Sequence, residues 1–139
     1  MVERRGEVIF IDTSFFFASL EPKDHLHTQA LSLLSEVDQQ ELVTTNNVRG
    51  ETWTLIRSRS GYGAAVRFLD SIGRSQVIRV EHVGREMEER ALGWLRRHDE
   101  RAYSFVDATS FAFMEANGIT EALAFDGDFA AAGFTELRV

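Results

Sequence analysis

Cysteine is absent from this 139-residue chain, proline occurs once, and lysine occurs once against fourteen arginines. Without cysteine there is no disulfide framework, no thiolate metal site and no cysteine nucleophile. The single Pro22 leaves few obligatory breaks, so helices and strands are expected to follow one another through short turns. Long apolar runs are missing too, and no segment approaches the roughly 20 apolar residues of a membrane span. The stretch Val8–Ile11 follows a charged N-terminus, but Asp12 interrupts it before it could act as the apolar region of a signal peptide. The expectation is a soluble, cytoplasmic protein. A surplus of positive charge is also missing. The net charge of −7 argues against broad electrostatic attraction to nucleic acid, unless the acids are gathered at one place where divalent cations turn them into a phosphate site.

What is present is a globular composition with 44% apolar residues, including eleven Phe and two Trp. That is enough for one compact core and too little chain for two typical domains, so residues 1–139 read as a single domain. Val8–Ile11 reads as a buried parallel strand that stops at a functional loop. Leu26, Ala30, Leu33, Leu34 and Val37 recur at helical spacing, which predicts an amphipathic helix over 24–37 capped by Asp24. Residues 42–45 predict a second strand, with Thr45 or Asn46 capping a helix that carries Val48, Thr52, Leu55, Ile56 and Arg59 on one side. After a break at 60–63, a helix over 64–72 and a strand over 77–80 follow. Met87, Ala91, Trp94 and Leu95 mark a charged helix ending near His98, and residues 105–117 form a more buried one. Residues 122–125 complete a fourth strand and 134–137 a possible edge strand. This alternation predicts an α/β fold, with a mostly parallel sheet of four to five strands flanked by helices on both faces.

In an open α/β sheet, ligands bind beyond the carboxyl ends of the strands. Asp12 follows the first strand and Asp126 the fourth, while Asp107 begins a helix and Glu51 lies in the first turns of another. Four acids distant in sequence can therefore meet at one edge. Their mutual repulsion calls for a hard cation with oxygen ligands, Mg²⁺ or Mn²⁺. Taken singly, each acid has an ordinary structural explanation. Asp12 with Thr13 and Ser14 can cap a helix, Ser104 to Asp107 matches a capping box, Asp126-Gly127-Asp128 is a natural turn, and Glu51 is a common helix residue. The ordered set is more specific than its members.

That set resembles the PIN-domain family, and in particular the VapC-type toxin ribonucleases of type II toxin–antitoxin systems. The resemblance spans essentially the whole chain. It rests on Ile11-Asp12-Thr13-Ser14, Val48-Arg49-Gly50-Glu51-Thr52-Trp53-Thr54-Leu55, Ser104-Phe105-Val106-Asp107-Ala108 and Ala124-Phe125-Asp126-Gly127-Asp128-Phe129. The stretch from Asp24 through Ala30 is similar to the start of the family's second helix. The resemblance implies a PIN-like domain that hydrolyses RNA phosphodiester bonds as a Mg²⁺- or Mn²⁺-dependent endoribonuclease. Asp12, Glu51, Asp107 and Asp126 would be its catalytic, metal-binding acids, with Asp128 as a further ligand. It also implies a cognate antitoxin partner and a homodimer. One departure is Ala124, where the family often carries Thr or Ser; Thr13 or Ser14 would have to supply that hydroxyl.

Other residues offer less. His25, His27, His82 and His98 show no zinc spacing. Phe15-Phe16-Phe17 suits core packing or a partner surface better than base stacking. Arginines near the Glu51 helix are candidates for guiding RNA. Receiver domains and haloacid-dehalogenase-like phosphatases also place acids at strand ends, but each needs a late-chain Lys, and the one Lys here is Lys23. A P-loop fails for want of Gly-Lys-Ser/Thr. A catalytically inactive PIN-like binding module and a housekeeping PIN nuclease remain as alternative readings.

Overall fold

Four apolar residues in succession give strand β1 (Val8–Ile11), whose last three are wholly buried. The computed structural model describes residues 7–139; the charged Met1 to Gly6 segment weighed above as part of a signal lies outside them. β1 is the middle strand of a five-stranded, wholly parallel sheet in the order β3-β2-β1-β4-β5. The other strands are β2 (Glu41–Thr45), β3 (Ile78–Glu81), β4 (Glu121–Leu123) and β5 (Thr135–Glu136). The expected edge strand is thus real, though only two residues long.

Helices α1 (Thr13–Leu20) and α2 (His27–Glu36) link β1 to β2, and α3 (Asn46–Ser60) and α4 (Tyr62–Arg74) link β2 to β3. Helices α5 (Arg85–Arg97) and α6 (Phe105–Ala116) cross back to β4, and the single turn α7 (Asp128–Ala131) leads to β5. Because parallel crossovers are right-handed, the helices after β1 and β2 cover one face and those after β3 cover the other. The direction of winding reverses between β1 and β4, which opens a crevice at their carboxyl ends. There the Asp12 N–H donates to the Leu123 carbonyl at 3.0 Å, so the two strand ends are tied together where the crevice begins.

Aromatic rings fill the core under this crevice. Phe10 lies 5.9 Å from both Phe113 and Phe129, and Phe111 contacts Phe129 edge-on at 5.0 Å. Pairs at these distances add directional attraction to area burial.

Some boundaries differ from expectation. The second helix begins at His27, not at Asp24. The Asp24 carboxylate instead accepts from Leu26 N–H and its carbonyl from His27 N–H, closing a turn ahead of the helix. The break before α4 narrows to Gly61, whose φ of +96° suits glycine, so Tyr62 and Gly63 are already helical. Asn46 does not cap α3; Thr45 does, accepting from Val48 N–H, while the Asn46 side chain accepts from Val83 N–H at 2.6 Å. Helix α1 has no helical period to betray it, since three of its first four residues, Thr13, Phe15 and Phe16, are buried.

Candidate active site

Asp12 ends β1 as the N-cap of α1, and its Oδ2 accepts from Ser14 N–H at 3.2 Å and Ser14 Oγ–H at 2.8 Å. The capping reading of Asp12 is therefore correct, and it coexists with a place at the crevice. Ser14 does more than cap. Its Oγ accepts from Phe125 N–H at 3.0 Å, joining the exit of β4 to the start of α1. This hydroxyl is thus engaged by protein groups on both sides. Ala124 itself is buried, and its carbonyl accepts from Arg138 at 2.8 Å.

Asp107 sits in the first turn of α6, where the capping box is complete. Ser104 Oγ accepts from Asp107 N–H and the Asp107 carboxylate accepts from Ser104 N–H, both at 2.9 Å. Two of the acids thus stand at helix N-termini, whose partial positive charge favours carboxylates. Asp126 follows β4, and Gly127 at φ +83° turns the chain so that Asp128 opens α7. The Asp126 carboxylate accepts from Asp128 N–H at 3.1 Å. Oxygens of Asp107, Asp126 and Asp128 all lie within 4.8 Å of one another.

Burial and crowding raise these acids. Asp12, only 2% exposed, is pushed up to about 8, chiefly by loss of hydration and then by the charge of Asp126; Asp107 adds a smaller push, and the Ser14 hydrogen bonds oppose them. Asp107 is pushed up to about 6 by loss of hydration, with the Asp128 and Asp126 charges adding and Ser104 opposing. Asp126 is exposed at the lip, yet neighbouring atoms strip water from its carboxyl and raise it, with Asp128 and Glu136 contributing. Four acids that repel one another and offer only oxygen donors form the donor set of a hard divalent cation, so the residues present fit one.

Glu51 is placed differently. It lies half-buried in the second turn of α3 and is not one of the three acids whose oxygens converge. Its neighbour Thr52 is fully buried, donates to the Val48 carbonyl at 2.7 Å and sits 3.3 Å from the Thr13 hydroxyl, which ties α3 to the residue after Asp12.

One site residue had no signal in the sequence. Arg101, in the connection between α5 and α6, donates from Nε to Asp128 Oδ1 at 3.0 Å, with Nη2 2.9 Å from the same oxygen and 3.4 Å from the Asp126 carbonyl. By contrast, Arg57 and Arg59 on the Glu51 helix lie over the rings of Tyr62 and Phe17. Phe17 belongs to the triple-Phe run, in which Phe15 and Phe16 are buried, as the packing reading requires.

A family model described as "PIN domain" matches residues 9–135. The chain is similar to the "23S rRNA-specific endonuclease VapC20" of Mycobacterium tuberculosis, in strains CDC 1551 / Oshkosh and ATCC 25618 / H37Rv. Identity is 53% over 131 residues, covering 94% of this chain and 98% of the relative. Among solved structures it is similar to the crystal structure of Mycobacterium tuberculosis VapC20, described as a "Sarcin-Ricin loop cleaving toxin". That match has a TM-score of 0.88 and 53% identity, and covers 94% of this chain and 99% of the other.

Proposed function

The chain belongs to the PIN-domain family, and from that premise we propose that it is a metal-dependent endoribonuclease, the toxin of a toxin–antitoxin pair. The observation that carries the reading is the convergence of Asp107, Asp126 and Asp128 beside buried Asp12 at the point where the sheet's winding reverses. Asp12, Asp107, Asp126 and Asp128 would hold a Mg²⁺ or Mn²⁺ ion, with Glu51 reaching in from α3. When bound, such an ion supplies charge that favours attack of water on phosphorus and steadies the leaving oxygen.

The chain's own groups do the positioning. Ser14 fixes the Asp12 carboxylate through its hydroxyl and amide, and Ser104 fixes that of Asp107. With its carboxyl raised to about 8, Asp12 holds a proton at neutral pH until positive charge enters the site. Rigid carboxylates on helix starts and strand ends place the reacting groups without further ordering.

The relative's name carries the substrate proposal further, to the sarcin–ricin loop of 23S rRNA. The partner proposal is a cognate antitoxin, with the toxin as a homodimer. No helix among the described residues is long and apolar enough to cross a membrane, and a cytoplasmic location is proposed. The test is cleavage of total ribosomal RNA by purified protein in Mg²⁺, Mn²⁺ and EDTA, beside Asp107→Asn. Metal-dependent cleavage lost in the variant supports the reading. Cleavage in EDTA, or equal cleavage by the variant, overturns it, and an inert wild type favours the binding module.

A further inference from the structure

We propose that Arg101 is a substrate-binding residue that grips an RNA phosphate at the rim of the carboxylate cluster, an inference that rests on the nuclease reading above. The chain carries a net charge of −7, and its candidate site is built from acids. RNA arriving there meets repulsion on either side of the phosphate to be cut. Among the described residues, the ion pair that reaches this cluster is Arg101 with Asp128.

Arg101 is also held in place. His98 stacks on Trp94 with ring centroids 4.0 Å apart and pairs with Glu100 at 2.8 Å. On the other side, Tyr103 packs edge-on against Trp94 at 4.8 Å and Phe111 at 5.7 Å. Both flanks of Arg101 are therefore anchored to the core. Beside it, Gly127 takes the positive φ of +83° that turns the chain between Asp126 and Asp128, and a β-carbon there would only touch Nη2, at 3.4 Å.

The contacts to Asp128 and Asp126 use Nε and Nη2. That leaves the two N–H donors of Nη1 on a side chain that is 41% exposed. A guanidinium with one edge held by a carboxylate and the other open presents a fixed fork to a phosphate. Arginines 57 and 59 lie over aromatic rings, and Arg138 is engaged by Glu136 and two carbonyls.

The experiment measures binding of a fluorescein-labelled sarcin–ricin stem-loop RNA by anisotropy across a salt series, in an Asp107→Asn parent so that no cleavage intervenes. Arg101→Ala is expected to weaken binding about fivefold to tenfold and to flatten log K against log salt by about 0.7 to 0.9, the share of one phosphate contact. Arg101→Lys is expected to recover the slope, with affinity between the two. Because losing Arg101 also uncovers the Asp128 charge, the pair is repeated with Asp128→Asn, where the same loss of slope is expected. If the parent binds and Arg101→Ala leaves the slope unchanged, or if the change vanishes with Asp128→Asn, the inference is overturned and the nuclease reading survives. A parent that does not bind this RNA overturns the inference and the sarcin–ricin substrate, while metal-dependent cleavage of total ribosomal RNA by wild type decides the nuclease reading.

Discussion

The Ser14 hydroxyl stands between two elements 111 residues apart in sequence, donating to the Asp12 carboxylate at 2.8 Å while accepting from the Phe125 amide at 3.0 Å. One side chain thus orients the buried acid and closes the strand exit that leads to Asp126. Phe125 is held from the other side as well, stacking on Phe15 at 5.5 Å with Arg138 over its ring.

Replacing Ser14 by Ala removes both hydrogen bonds and leaves the Phe125 amide without its acceptor. A loss of about 1–3 kcal/mol in stability is expected, measured by urea denaturation. Metal affinity should fall with it, because Asp12 loses one of the two donors that fix its carboxylate. Unchanged stability would show that the backbone alone holds the two strand ends.

The raised acids set a direction for pH. A carboxyl whose folded value lies above its unfolded value binds its extra proton in the folded state, so stability falls as pH rises between the two values. For Asp12 that interval runs from 3.8 to about 8, and for Asp107 from 3.8 to about 6. Calorimetry in EDTA should therefore show Tm falling from pH 5 to pH 8. Asp12→Asn should flatten the part above pH 6, and added Mg²⁺ should raise Tm more at pH 8 than at pH 5.5. A wild-type Tm that climbs over this range in EDTA would contradict the crowded-acid description.

Glu51→Gln separates a chemical from an ornamental role. The residue is half-buried on α3 and lies outside the three converging acids, so the isosteric change should leave Tm within about 1 °C. RNA cleavage is expected to drop at least about tenfold if the side chain reaches the ion. Full activity in Glu51→Gln would remove it from the site.

Phe129 is completely buried between Phe10 and Phe111, directly after Asp128. Phe129→Ala should cost about 3–5 kcal/mol, read from denaturant midpoints. It should also loosen the turn that presents Asp126 and Asp128, so metal affinity is expected to fall at temperatures where the variant is still folded.

Much of this molecule was readable from residue order. β1 was legible because four apolar residues end abruptly at an acid, and α6 because its capping box is local and its end at Asn117-Gly118 is marked. Asp12, Asp107 and Asp126 each had a structural explanation as cap or turn, and those explanations hold alongside their convergence, since caps and turns are what put carboxylates at strand ends. α1 was hidden because burial on nearly all sides erases helical periodicity. Asp24 misled because a carboxylate that closes a turn onto Leu26 looks in sequence like one that caps a helix. Arg101 was illegible for a different reason. Nothing among fourteen arginines marks the one whose partner lies 27 positions away, because that pairing depends on how the Trp94, His98 and Tyr103 rings seat a connecting segment.

The placement of β1 has a consequence in time. Among the described strands β1 is made before the others, yet it lies in the middle of the sheet, and its neighbour β4 begins only at Glu121. Asp12 is made well before its companions at 107, 126 and 128. A chain still under synthesis carries no assembled cluster, and one cut short before β4 never acquires it. The acidic crevice is thus assembled only after β4 and the turn behind it have been made, however early its first acid appears.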